Sequence, residues 1–184
     1  MCHGSISSQM KLFRRKPPPP RSVLFVCTAN VTRSPVAELM FREMAESTGE
    51  VWKIASAGIR GARGLPVNQV ISFIMSRRGR PIRRHRSQPV NRKLLSQYQW
   101  IVVMQEAHRN AILELDGNVD ERVFVLRELS CREPLDNADM PDPTGKDVDD
   151  YQELFDILDE EMPQLFKVIR DKAYELAMTY NDHE

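Results

Sequence analysis

The chain has 184 residues, 41% of them apolar, and its 26 basic and 26 acidic side chains cancel. This is enough for one domain with a substantial core, and the neutral balance excludes the basic excess of a nucleic-acid-binding protein. No apolar run is long enough for a transmembrane segment, and three cysteines without regular spacing offer neither a disulfide framework nor a zinc site. A protein of the reducing cytoplasm, needing no metal or cofactor, is expected.

Residues 1–21 hold Lys11, Arg14, Arg15, Lys16 and Arg21, no acidic residue, and the run Pro17 to Pro20. They read as a basic, proline-rich, disordered tail with a stiff spacer, and serines and glutamine interrupt any signal-peptide core. Val23 to Val26 read as a buried strand running into Cys27. After Pro35, the residues Val36, Leu39, Met40 and Met44 share one helical face. Glu46 to Glu50 form a turn, Val51 to Ala55 a second strand, and Ser56-Ala57-Gly58 its end.

Gly58, Gly61 and Gly64 mark a loop, and Val67, Val70, Ile71, Ile74 and Met75 a helical stripe. From Arg60 to Lys93 the chain carries only basic charges, and from Glu128 to Glu161 it is strongly acidic. A third strand is expected at Trp100 to Met104, a helix from about 106 to 115, and a fourth strand at Val123 to Leu126. Tyr151, Leu154, Phe155, Leu158, Met162, Leu165 and Phe166 trace a long helical stripe, broken or kinked at Pro163. Strands alternating with helices predict an α/β fold: a single domain with a four-stranded parallel sheet flanked by helices on both faces.

The chemistry is concentrated between Cys27 and Pro35. A cysteine and an arginine separated by five residues let the backbone curl so that its N–H groups converge on one anion. Arg33 closes the ring with a planar fork matched to two oxyanion oxygens. Pro35 suits a helix's first turn, which points the positive end of the helix dipole into the loop. Cys27 therefore sits where a thiolate nucleophile is favoured, just past the first strand at a topological switch point. Neither other cysteine has an arginine six residues on, since Cys2 leads to Ser8 and Cys131 to Asn137.

This signature, a cysteine, five residues, arginine and then Ser-Pro, resembles that of the low-molecular-weight protein tyrosine phosphatases. Ile54-Ala55-Ser56-Ala57-Gly58, His85-Arg86-Ser87, Trp100-Ile101-Val102-Val103-Met104 and Pro141-Asp142-Pro143 recur in the family's order, so the resemblance covers about residues 22 to 178. Residues 22–180 are accordingly expected to form the phosphatase domain. Within the family the chain looks most like the bacterial branch linked to capsule and exopolysaccharide export. Three departures stand out: Ala29 where many members have glycine, Thr32 where many have a second cysteine, and Gln105 where an acidic residue is usual.

The resemblance implies a phosphotyrosine-protein phosphatase with a cysteinyl-phosphate intermediate, inhibited by phosphate and vanadate-like oxyanions. Cys27 would be the nucleophile. The amides of Thr28, Ala29, Asn30, Val31 and Thr32, with Arg33, would hold the phosphoryl group. Composition alone reads Asp139 to Pro143 as a helix-entry loop with turn aspartates; the resemblance places the general acid on Asp142, with Asp139 its lesser neighbour. By the same resemblance Ser34 would donate to the Cys27 sulfur, and Asn30, Ser56 and His85 would hold the loop in shape. Two rivals stand beside this reading. An arsenate reductase of the same fold would need further cysteines, which residues 91–127 lack. A weakly catalytic phosphate-binding module is the reading that Ala29 and Gln105 favour.

Overall fold

Val23 to Val26 combine β-branched and aromatic side chains with burial on both faces, the pattern of a central strand in a parallel sheet. In the computed structural model, which describes residues 19–131 and 135–181, they lie in β1 (Ser22–Cys27), whose six residues are all buried. The chain continues through α1 (Arg33–Ser47), β2 (Lys53–Gly58), α2 (Gln69–Arg77), α3 (Arg92–Leu95), β3 (Trp100–Val103) and α4 (Glu106–Leu115). A 3₁₀ turn (Gly117–Arg122), β4 (Val123–Val125), α5 (Leu126–Ser130) and α6 (Val148–Asn181) complete it. The four strands are parallel in the order β2-β1-β3-β4, forming a single α/β domain. The expected tail over residues 1–21 lies outside the described residues except for 19–21.

The strand period of two sorts β1 between two cores. Val23 and Phe25 face α1, α2, α5 and α6, while Leu24 and Val26 face Leu95 of α3 and Ile112 of α4. Helices therefore cover both faces. On the first, Phe41 of α1 packs edge-on against Phe166 of α6 and against Trp52, with centroids 5.0 and 5.3 Å away. Truncating so buried a ring costs about 3–5 kcal/mol.

Several boundaries differ from the sequence expectation. The second strand is Lys53–Gly58 and not Val51–Ala55: Val51 is 87% exposed, and pairing with β1 sets Lys53 opposite Ser22 and Gly58 opposite Cys27. The Ser-Ala-Gly run is thus strand, and Cys27 is the last residue of β1, not the first beyond it. β3 and β4 each stop one residue short of the expected end. Pro163 does not break α6. It removes the donor to the Asp159 carbonyl, but both residues lie on the exposed face, where water can take that role.

The sheet order makes β1 and β3 neighbours whose chains leave toward opposite faces, α1 to one and α4 to the other. The crevice beyond their carboxyl ends is the switch point where such sheets bind ligands. Cys27 stands there.

Candidate active site

Residues 28–32 leave β1 as an irregular loop and enter α1 at Arg33. Asn30 is the one described non-glycine residue with positive φ, at 59°, a conformation asparagine tolerates better than most. Ala29 does not take it, so the missing glycine leaves the turn intact. Gly58 sits beneath the loop: a Cβ there would lie 2.8 Å from Ala29 C and from Thr28 O. The glycine at the end of β2 therefore gives the loop backbone its seat. The Ile59 and Arg60 amides donate to the Cys27 and Thr28 carbonyls at 2.9 and 2.8 Å.

One hydrogen-bond network sets the loop's shape. The Gln88 amide donates to Asn30 Oδ1 at 3.0 Å, which fixes the flip of the asparagine amide. Asn30 Nδ2 then donates to Ser34 Oγ at 3.0 Å and Ser56 Oγ at 2.8 Å. Ser56 Oγ donates in turn to Glu38 Oε2 at 2.7 Å, and Glu38 is paired with Arg42. His85 Nε2 lies 2.7 Å from the Asn30 carbonyl oxygen; a carbonyl only accepts, so this nitrogen carries a proton. Asn30, Ser34, Ser56 and His85 are thus brought together around the loop.

The Cys27 sulfur is buried at the base, 3.0 Å from Ser34 Oγ and 3.3 Å from the Asn30 amide. Ser34 Oγ accepts from Asn30 Nδ2, and its one proton has two acceptors within reach, the Cys27 sulfur at 3.0 Å and the Ala57 carbonyl at 3.4 Å. The amides of Thr28, Ala29, Val31 and Thr32 make no backbone hydrogen bond among the described residues, which leaves a set of unpaired donors at the mouth of a helix N-terminus.

Arg33 is 1% exposed, and a guanidinium so buried needs hydrogen-bond partners for its charge. Nη1 donates to the Met140 carbonyl at 3.2 Å; Nη2 donates to Thr28 Oγ1 at 3.2 Å and Asp142 Oδ2 at 2.6 Å. Asp142 is half-buried on a loop whose Met140 amide donates to the Met104 carbonyl at the end of β3. Burial pushes its carboxyl pKa up, but hydrogen bonds from Thr144 and the charges of Arg33 and His108 outweigh that and hold it below the usual carboxylate value. Asp139 is placed differently. Its Oδ1 accepts the Glu106 amide at 2.7 Å, so it caps α4, whose own N-cap residue, Gln105, makes no side-chain cap.

Residues 22–175 match the family model described as low molecular weight phosphotyrosine protein phosphatase. The chain belongs to this family. A protein-arginine-phosphatase of Bacillus subtilis is 28% identical over 149 residues, covering 80% of this chain and 96% of that one. A low molecular weight protein-tyrosine-phosphatase of the same organism, YfkJ, is 34% identical over 125 residues, 66% of this chain and 80% of its own. The crystal structure of a Bacillus subtilis YwlE mutant superposes with a TM-score of 0.74 at 28% identity, covering 81% of this chain and 98% of that one.

Sequence reasoning missed two residues that the structure brings to the site, His108 and Glu38. His108, in the first turn of α4, is 5% exposed and lies with Nε2 2.9 Å from Thr28 Oγ1, while Nδ1 has no partner among the described residues. Burial, then the charge of Arg33, lower its pKa to about 4 against the opposing pull of Asp139 and Asp142. The imidazole is therefore neutral at physiological pH. A histidine one turn beyond the third strand, at the ligand end of a parallel sheet, was the available signal. Glu38 was legible too, since Ser34, Glu38 and Arg42 recur every four residues on one face of α1.

Proposed function

We propose that residues 22–180 are a phosphotyrosine-protein phosphatase working through a cysteinyl-phosphate intermediate. The observation that carries this is Asp142 held 2.6 Å from an arginine that closes the same loop as Cys27. The Cys27 thiolate attacks phosphorus, and the bond to the phenolic oxygen breaks. The unpaired loop amides and the Arg33 fork hold the equatorial oxygens as charge develops on them. Asp142, protonated in the substrate complex, gives its proton to the departing oxygen. Its carboxylate then takes a proton from water, whose oxygen bonds to phosphorus as the sulfur–phosphorus bond breaks, releasing phosphate.

A dianionic phosphoryl group takes up the Arg33 donors that Asp142 now uses, and its charge favours a protonated carboxyl beside it. Binding thus loads the acid. Phosphate and vanadate should compete for the same donors.

Cys131 argues against an arsenate reductase. Its S–H is given to Glu161 Oε1 at 2.9 Å, and burial, with that carboxylate, pushes the thiol up to about 11, so it is a poor relay for oxidation. The free cysteines Cys27 and Cys131 suit a reducing cytoplasm. The finer substrate, a bacterial tyrosine kinase or exopolysaccharide-export protein, rests on the resemblance between Gly58 and Ser87. A phosphoarginine substrate is the second reading, favoured by similarity to an arginine phosphatase; against it, the leaving guanidinium would depart past a rim of exposed arginines.

Hydrolysis of para-nitrophenyl phosphate tests the class of reaction, and matched phosphotyrosine and phosphoarginine peptides test the substrate. Cys27→Ser and Arg33→Ala should each abolish turnover. Substantial activity in Cys27→Ser would sink the assignment.

A further inference from the structure

We infer that the arginine-bearing rim built from residues 59–66 and 81–89 docks acidic residues flanking the phosphotyrosine of a protein substrate. This deepens the phosphatase reading and rests on it. The two segments are knitted into one piece. Ser87 exchanges backbone hydrogen bonds with Gly64 and Leu65 at 2.9 Å, its hydroxyl donates to the Ala62 carbonyl, and a bridge joins Gly58 to Pro89.

The same piece is fastened to the phosphate loop. Arg60 donates its amide to the Thr28 carbonyl and His85 its imidazole to the Asn30 carbonyl, while Asn68 just beyond donates to Val31 at 2.7 Å. A substrate backbone leaving a phosphotyrosine in that loop toward β2 must cross this rim.

The rim's charge is one-signed and unspent. Between Arg60 and Lys93 there is no carboxylate. Arg78 and Arg80 are neutralised elsewhere, by Asp159 and Glu43. Arg60, Arg63, Arg83, Arg84 and Arg86 are exposed and join no ion pair among the described residues. Leu65, 47% exposed, adds an apolar contact between them.

Across the loop stands Asp139, so with substrate bound and Asp142 protonated the mouth is polarised, with arginines on the β2 side and a carboxylate beyond β3. An acidic flank is drawn to one side and repelled from the other, which orients the peptide. The protein as a whole is neutral, so this is a local field and not a general affinity for anions.

The test uses the full chain, native and with Arg63→Ser, Arg83→Ser and Arg84→Ser combined. Substrates are para-nitrophenyl phosphate and two phosphotyrosine peptides, one flanked by Asp and Glu, the other by Ser. Each exposed pair contributes modestly, so three together should lower KM for the acidic peptide about tenfold relative to the neutral one. The triple substitution and added salt should each erase that preference, with kcat and para-nitrophenyl phosphate hydrolysis unchanged.

Equal use of both peptides by the native protein would overturn the inference, as would a preference that survives both salt and substitution. A parallel loss on para-nitrophenyl phosphate would also overturn it, by assigning these arginines to the loop itself. Loss of binding to phosphatidylserine vesicles with unchanged peptide KM would assign the rim to membranes instead. No turnover of any substrate would remove the phosphatase reading; equilibrium binding of the two peptides to Cys27→Ser then still decides the docking surface.

Discussion

Arg33 Nη2 donates to Asp142 Oδ2 at 2.6 Å, so the arginine proposed to grip phosphate and the carboxyl proposed to protonate the leaving oxygen are held by each other. In the proposed mechanism the pair couples substrate binding to acid catalysis. Oxyanion binding should raise the pKa of Asp142, because it takes the guanidinium and brings negative charge. Carbon-13 titration of the Asp142 carboxyl with and without phosphate reads this directly; an unchanged or lowered pKa would refute the coupling.

Asp142→Ala should slow aryl phosphates with poor leaving groups far more than those with good ones, since a stable phenolate needs little protonation. Equal losses across a leaving-group series would show that Asp142 is not the acid. Asp139→Ala should leave that dependence unaltered and cost about 1 kcal/mol of stability, the usual loss for a missing helix cap.

His108 gives a pH dependence of stability with a definite sign. Its pKa is about 4 in the folded protein against 6.5 for the free side chain. Between these values the unfolded chain binds the extra proton, so stability falls as pH drops through that window and is fully present above it. The contribution is on the order of 3 kcal/mol. Urea titrations at several pH values should show this slope in the native protein and a shallower one in His108→Gln; identical slopes would contradict it.

The strand, loop and first-helix pattern, the α/β class and the placing of Cys27 and Arg33 in one loop were legible because each rests on local chemistry or on one motif, whereas Asp142 was singled out only by the family resemblance. The extent of β2 was not, since burial of Ser56 and Ala57 against β1 overrides their weak strand preference. His108 escaped notice because its role comes from Thr28, 80 residues away, and only the β1-β3 pairing brings them together. Asp139 and Asp142 looked alike in sequence; contacts with Glu106 and Arg33 separate their roles.

Thr32 stands where many relatives have a cysteine, and its hydroxyl is buried without a partner among the described residues. Thr32→Val should therefore stabilise the fold by about 1 kcal/mol, by removing an unsatisfied polar group. Without a sulfur there, and with Cys131 bonded to Glu161, peroxide should add oxygen to Cys27 and recovery by thiol should be poor. Cys2 lies outside the described residues. Thr32→Cys should improve recovery; intact mass showing a Cys27–Cys131 or Cys27–Cys2 disulfide in the native chain would refute this.

The central claim is that the phosphoryl group passes through Cys27. Rapid acid quench of phosphotyrosine-peptide turnover, followed by peptide mass spectrometry, tests it most directly, and Asp142→Asn should lengthen the intermediate's life by slowing water attack. We predict one phosphoryl group on the peptide containing Cys27, and none in Cys27→Ser. Full turnover with no adduct on that peptide, or an adduct on any other residue, would contradict the account.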